Sequence, residues 1–338
     1  MCPHSDDTRL GDNDQDKGSS ALHSSEFEKH IMNEEVNDAD LRQGLIKNPK
    51  EIPVRFLYDD LGSKLYQKIT YLDEYYLYNE ELQMFKENSK AIVRYVAPGA
   101  ALLELGLGDA TKTIYLLRAL IDRDGADNVN FIGIDVSGEA LRLAKRNILL
   151  AIPELSANKV RMIEMEYLDG LQEAKALYPD TPLFALWLGS SIGNFSQEES
   201  VHFLRQVGEA MGEDCFILLC TDLWKQQSAL QKAYDDSKGI TRQFIMNGMS
   251  NVLRYCKHAL SHEDPESLWQ YEVVVNDSMH QVEMWLTAKK QISNVISGVD
   301  IRQGEKLLME ISRKFTQDSL RSLAFGSGLT MQVSISLR

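Results

Sequence analysis

The stretch Glu104-Leu105-Gly106-Leu107-Gly108-Asp109-Ala110-Thr111-Lys112 sets two glycines behind a short apolar run and ahead of a helical pattern. Glycines there let the backbone approach a ligand closely. The dinucleotide version of the motif wants a third glycine, where Thr111 stands, and rests a pyrophosphate on the helix N-terminus. Glu104 and Asp109 instead crowd that place with negative charge, which suits a cationic ligand. S-adenosylmethionine (SAM), with its sulfonium and ammonium, fits. Asp135 ends the next apolar run, where an acid can hold both ribose hydroxyls by charge-assisted hydrogen bonds. Glu166 and Tyr167 follow a third run, placed to read an adenine amino group and stack on its ring. Lys112, one turn into the first helix, can meet the SAM carboxylate. Plainer readings stand beside these: a helix N-terminal acid for Asp135, a solvated loop for Glu166 and Tyr167, a solvated lysine for Lys112.

Behind a fourth apolar run lies Gly189-Ser190-Ser191-Ile192-Gly193-Asn194-Phe195. Methyl acceptors sit there in α/β methyltransferases. This is not the Asx-Pro-Pro-aromatic motif of nucleic-acid amino methyltransferases. Asn194 offers two donors and an acceptor, enough for an amine and a carboxylate together, or simply for a turn. Tyr58, Tyr66, Tyr71, Tyr75, Tyr76 and Tyr78 are crowded into one region, with Tyr234 apart. Most would be amphipathic core residues, but such rings can also box an amine.

The elements that must position these residues are legible. Apolar runs at 101–106, 129–136, 159–166, 182–189 and 215–223 alternate with helical patterns at 109–121, 137–152 and 196–211. Ser137 and Ser196 stand at helix N-caps, Ser196 with Glu199 three residues on. Strands alternating with helices predict a doubly wound parallel sheet, an α/β class I methyltransferase (Rossmann-like) fold with ligands at the strands' carboxyl ends. Segments 28–98 and 224–262 read as helical, 271–286 as a β-hairpin turning at Asn-Asp-Ser, 291–298 and 329–337 as strands, and 316–324 as a helix.

The chain has 338 residues, enough for a large core, and a net charge of −14 without a Lys/Arg cluster, so a nucleic-acid substrate is not expected. No apolar run is long enough for a membrane span, and the polar start lacks a signal-peptide pattern, so a cytoplasmic protein is expected. Residues 1–27 are expected to be a disordered tail. Cys2, Cys215, Cys220 and Cys256 form no CxxC pair, and the seven histidines form no metal-ligand constellation, so no metal is expected. Monomer is the default.

Taken together, LYDDLGSKLYQKITYLDEYY (57–76), LELGLGDATKT (103–113), GSSIGNF (189–195), DLWKQQSALQKAYDDSKGITRQF (222–244) and VEMWL (282–286) resemble the ergothioneine-pathway histidine Nα-methyltransferase family and its fungal relatives acting on tryptophan derivatives. The resemblance spans about 50–330. It implies a SAM-binding domain at 81–223 and 288–338, and a second α+β substrate-binding domain made of 28–80 and 224–287. It implies that Tyr58 and Asn194 hold the substrate amine and carboxylate, that Tyr234 binds the carboxylate and that the Gly189 backbone lies near the amine. It implies that Tyr75 and Glu283 face the side chain. Asn79 stands where the family has arginine, Val252 where the histidine enzymes have methionine, and Trp285 where a small hydroxyl residue is usual. On that mapping an indole refills the pocket and one hydrogen bond to imidazole is lost, so the expected substrate widens from histidine to tryptophan, a tryptophan derivative, tyrosine or arginine.

Methyl transfer is an in-line displacement at carbon for which the protein supplies mainly alignment. The acceptor nitrogen needs a free lone pair, and neither Tyr58 nor Asn194 is a strong base, so deprotonation through water is expected. The family precedent is trimethylation. Two other classes remain open at this point: a non-catalytic SAM-binding partner protein, against which Tyr58, Asn194 and Tyr234 argue, and an NAD-dependent oxidoreductase, against which Thr111 argues.

Overall fold

In a computed structural model, residues 34–213 and 215–335 are described, with side chains from residue 39 onward. The expected tail at 1–27 lies outside the described residues.

The described residues begin with α1 (Glu34–Ile46), the two-residue β1 (Lys50–Glu51), α2 (Asp60–Thr70) and α3 (Tyr76–Ile92). Five strands then alternate with helices: β2 (Ala101–Leu105), α4 (Thr113–Asp124), β3 (Asn130–Asp135), α5 (Gly138–Ala151), β4 (Val160–Glu164), α6 (Tyr167–Leu177), β5 (Leu183–Trp187), α7 (Gln197–Met211) and β6 (Phe216–Leu219). They form a parallel sheet in the order β4-β3-β2-β5-β6. The central strands β2 and β5 are buried along their whole length, as a parallel strand covered on both faces must be. Because chain order reverses beside β2, a crevice opens at its carboxyl end. The predicted caps form: Ser137 Oγ accepts from the Ala140 amide, and Ser196 with Glu199 makes a reciprocal capping box.

The second sheet is largely antiparallel. After α8 (Gln227–Tyr234), α9 (Ile240–Tyr255) and α10 (Pro265–Leu268) come β7 (Trp269–Asn276) and β8 (Gln281–Ala288), the predicted hairpin. A small hairpin, β9 (Ile292–Ile296) and β10 (Val299–Ile301), leads to β11 (Lys306–Arg313). The order is β1-β11-β8-β7, with α2 and α9 packed together and their apolar residues merged with the sheet's in one core. The parallel sheet carries a separate core on each face.

Two expectations need correction. The chain was expected to leave the substrate-binding part at 288, but β11 pairs antiparallel with β8, because the free edge of that hairpin takes the next strand. It returns to the parallel sheet only near Phe315, which bridges Leu223. The expected closing strand at 329–337 is irregular through residue 335, its Met331, Val333 and Ile335 exposed, and the rest lies outside the described residues. The helix expected at 316–324 is present as α11 (Gln317–Gly326). Among the described residues no helix is long and apolar enough to cross a membrane, and no group of metal-ligating side chains is found.

Candidate active site

The turn after β2 is built from backbone that ordinary residues avoid. Gly106, Gly108 and Ala110 have φ of 72°, 56° and 60°. At Gly106 a Cβ would also stand 2.8 Å from the Tyr167 hydroxyl, so only glycine fits. The Gly106 amide donates to the Ile134 carbonyl across 2.9 Å, tying the turn to β3. Asp135, at the end of β3, accepts from the Gly108 amide at 3.4 Å and the Ser137 amide at 2.9 Å. Burial raises its pKa, and those amides pull it back. Tyr167 packs edge-on against Trp187 and Phe203 with its hydroxyl beneath Gly106, while Glu166 stands exposed at the N-cap of α6.

Glu104 and Lys112 are engaged within the protein. The Glu104 carboxyl is buried in β2 and takes a short hydrogen bond from the Thr113 hydroxyl; burial pushes its pKa up to about 8. Lys112 forms an ion pair with Glu81 of α3. Burial opposes its charge, but the Glu81 carboxylate raises its pKa overall. The other Glu81 oxygen accepts from the Gly189 amide across 2.8 Å. Glu81, which sequence reasoning missed, thus joins the glycine turn's helix to the loop after β5. A site with a glycine cradle, an acid at the end of β3 and a lysine beside it is consistent with SAM.

Beyond Gly189 a cavity opens between the two sheets, lined by Tyr58, Tyr66, Tyr75, Gly189, Asn194, Tyr234, Phe244, Met284, Glu310 and Ser312. Five residues expected in the amino-acid site, Tyr58, Tyr75, Gly189, Asn194 and Tyr234, therefore meet in one place. Tyr58, Tyr66 and Phe244 pack edge-on at one wall, with the Tyr58 ring 5.8 Å from Tyr66 and 5.3 Å from Phe244. Asn194 reaches the cavity from a 3-10 turn (Ser191–Asn194) that follows Gly189 and Ser190, both at positive φ. That turn lies tight against β11: a Cβ on Gly193 would stand 2.8 Å from the Arg313 carbonyl. The approach lets the Asn194 amide donate to Glu310 Oε1 at 2.9 Å. Burial pushes the Glu310 pKa up to about 8, against the lowering influence of Lys314. The Tyr234 and Ser312 hydroxyls are 2.8 Å apart, and the buried Lys314 donates to both, at 2.7 and 3.0 Å. Burial raises the phenol pKa of Tyr75 well above its ordinary value, so it stays a hydrogen-bond donor.

Val252, Glu283 and Trp285 are not in the cavity. Val252 is fully buried in the apolar core, about 12 Å along α9 from the cavity residue Phe244 at 1.5 Å rise per residue. In β8, Val282, Met284 and Leu286 face the core, and Met284 pairs with Glu310. Gln281, Glu283 and Trp285 therefore face the opposite side, since strand side chains alternate. There Asn276, Gln281 and the Trp285 indole all donate to the Glu283 carboxylate, at 2.8, 2.7 and 3.1 Å. A carboxyl and a hydroxyl two positions apart do line the cavity, but they are Glu310 and Ser312 of β11, and the methionine that lines it is Met284. The available signal was the pattern Glu310-Ile-Ser312-Arg-Lys314: polar groups at every second position, following the apolar Leu307-Leu308-Met309.

Residues 37–336 match a family model described as histidine-specific methyltransferase, SAM-dependent. The chain is 32% identical over 295 residues to a histidine N-alpha-methyltransferase of Mycolicibacterium smegmatis, covering 86% of this chain and 88% of that one. It is 28% identical over 285 residues to ergothioneine biosynthesis protein 1 of Neurospora crassa, covering 83% of this chain but 31% of that longer protein. It is also 24% identical over 333 residues to the 4-dimethylallyltryptophan N-methyltransferase easF of Epichloe festucae var. lolii, covering 91% and 92%.

Proposed function

The chain belongs to the SAM-dependent, histidine-specific methyltransferase family, and from that premise we propose that it methylates the α-amino nitrogen of histidine. The observation that carries the substrate is the pairing of Glu310 with Ser312 in the wall of the cavity, facing the space lined by Tyr58, Asn194 and Tyr234. A carboxyl and a hydroxyl held rigidly in a strand complement the two ring nitrogens of imidazole. Trp285, which would have argued for a refilled pocket, lies on the other face of β8 and gives no ground for a redirected acceptor; a tryptophan derivative, as in the name of the Epichloe relative, is the alternative.

In this reading Gly106, Gly108, Lys112, Asp135, Glu166 and Tyr167 hold SAM, with Glu104 fixing the helix that begins at Thr113. SAM supplies an activated methyl on a sulfonium. Tyr58 and Asn194 orient the neutral amine toward it, Tyr234 takes the carboxylate, Tyr75 walls the side-chain end, and Glu310 with Ser312 binds the ring. No group at the amine is a strong base, so its proton leaves to water. We assign substrate binding to residues 34–80, 224–287 and the added strand β11, and SAM binding to 81–223 with the segment from Phe315 onward. A cytoplasmic monomer acting on a small molecule, not on nucleic acid or at a membrane, completes the proposal.

The test is mass spectrometry after incubation with SAM and, separately, histidine, tryptophan, tyrosine and arginine. Mass gains on histidine in one-methyl steps are expected, and their number gives the methylation count. Product with another amine and none with histidine would overturn the assignment.

A further inference from the structure

Lys314 is fully buried one residue beyond β11, with its ammonium saturated by three acceptors: Tyr234 Oη at 2.7 Å, Ser312 Oγ at 3.0 Å and Asp222 Oδ2 at 2.9 Å. A buried ammonium is costly unless its charge is matched. Its ion-pair partner among the described residues is Asp222, and Asp222 is shared: Lys225 lies 3.0 Å from its other oxygen, and the Tyr76 hydroxyl donates to it at 2.6 Å. Lys225 also lies 3.3 Å from a Glu80 oxygen, so the two ammoniums are matched by two carboxylates, and what Lys314 does for the cavity is set by its hydrogen bonds.

Hydrogen counting adds a second constraint. Tyr234 and Ser312 both accept from Lys314 and lie 2.8 Å from each other, so one must donate to the other. Only one of the two hydroxyl hydrogens is then left for the cavity. If Tyr234 donates to a substrate carboxylate, Ser312 must donate to Tyr234, and its remaining lone pair faces the cavity as an acceptor. The protonation pattern at one end of the substrate therefore sets the polarity of a contact at the other.

We infer that Lys314 is a positioning residue for specificity: its ammonium aims the Tyr234 hydroxyl at a substrate carboxylate and, through Tyr234, turns Ser312 into an acceptor for a side-chain N–H. The inference rests on the proposed function and extends it to a requirement for both a carboxylate and a hydrogen-bond-donating side chain in the same molecule.

The experiment compares histidine with histamine, which keeps the imidazole and the primary amine and lacks the carboxylate. The full chain is assayed with SAM and product is read by mass spectrometry. For the unmodified enzyme, kcat/KM for histidine should exceed that for histamine by about a hundredfold, as expected of a site built to pair a polar group. Lys314→Met keeps the length and removes the charge. It should raise KM for histidine about tenfold with a smaller fall in kcat, and cut the histidine-to-histamine ratio by a similar factor. A lysine serving only the fold would depress both amines alike; an unchanged ratio overturns the inference. Should Lys314→Met fail to bind SAM, Tyr234→Phe, Ser312→Ala and their double variant decide. A coupling of about tenfold between the hydroxyls in histidine KM supports the relay, and independent effects overturn it. An unmodified enzyme that binds SAM and methylates neither amine removes the proposed function and this inference with it, an outcome distinct from product with an unaltered ratio.

Discussion

The side-chain amide of Asn194 donates to the carboxyl of Glu310 across 2.9 Å, joining the loop that follows β5 of the parallel sheet to β11 of the antiparallel one. Both residues line the cavity, and in the proposed function one meets the substrate amine and the other its side chain. The two ends of the cavity therefore do not move independently.

Asn194→Ala removes both the amine contact and this link. Because alignment supplies most of the catalysis here, kcat/KM for histidine is expected to fall about a hundredfold or more, with SAM affinity little changed. Steady-state kinetics with SAM binding by calorimetry checks it. An equal loss of SAM binding would mean that the loop, and not the amine contact, had been damaged.

The cavity face of β11 and the far face of β8 make opposite predictions. Glu310→Ala should raise KM for histidine by about ten- to a hundredfold, since a buried recognition group leaves its partners unpaired when lost. Trp285→Ala, on the far face, should leave KM for histidine within about twofold while lowering the melting temperature through lost packing. A large KM change in Trp285→Ala would return that residue to the cavity.

The strands β8 and β11 show where the sequence stopped being legible. ALLEL, NFIGID and LFALW are continuous apolar runs, and they read as buried parallel strands because both of their faces are covered. Gly106 and Asp135 follow a motif that carries its own stereochemical reason, whereas the placing of Asn194 and Tyr234 rested on the resemblance. The element β11 was missed because Glu310 and Ser312 put polar side chains on its inward face, with the buried Lys314 one residue beyond, the reverse of the usual signal. Glu283 and Trp285 were misplaced because the resemblance was laid on β8, whose apolar Val282, Met284 and Leu286 turn them away from the cavity, while the carboxyl and hydroxyl that line it belong to β11. Glu81 offered no local signal at all: it lies 31 residues from Lys112 and 108 from Gly189, and only the packing of α3 unites them.

At the cofactor turn, Gly106→Ala forces a Cβ against the Tyr167 hydroxyl at a φ of 72°. About 1–3 kcal/mol of strain is expected, with loss of SAM binding out of proportion to the loss of stability. Lys112→Ala should weaken SAM about tenfold or more without that strain. Calorimetric titration with S-adenosylhomocysteine, which retains the carboxylate, reads both. Unchanged affinity in Lys112→Ala would assign the lysine solely to its pair with Glu81.

Glu104 and Glu310 make stability depend on pH in a direction opposite to that of ordinary paired carboxylates. Both have pKa values of about 8 in the folded protein, raised by burial from an ordinary value of 4.5. Between those values the folded chain holds two protons that the unfolded chain has released. Stability must then fall as pH rises through the interval and level off above it. The effect is expected to amount to several kcal/mol, at most about 1.4 for each unit over which each buried carboxyl stays protonated. Thermal melts of the ligand-free protein from about pH 5 to 8.5 should therefore slope downward. Glu104→Gln, whose amide oxygen still accepts from Thr113, should flatten part of that slope, and Glu310→Gln, still accepting from Asn194, the remainder. A slope identical in the double variant would mean that both carboxyls are ionised in the folded state, and Glu310 would then meet a substrate ring as an anion and not as a neutral acid.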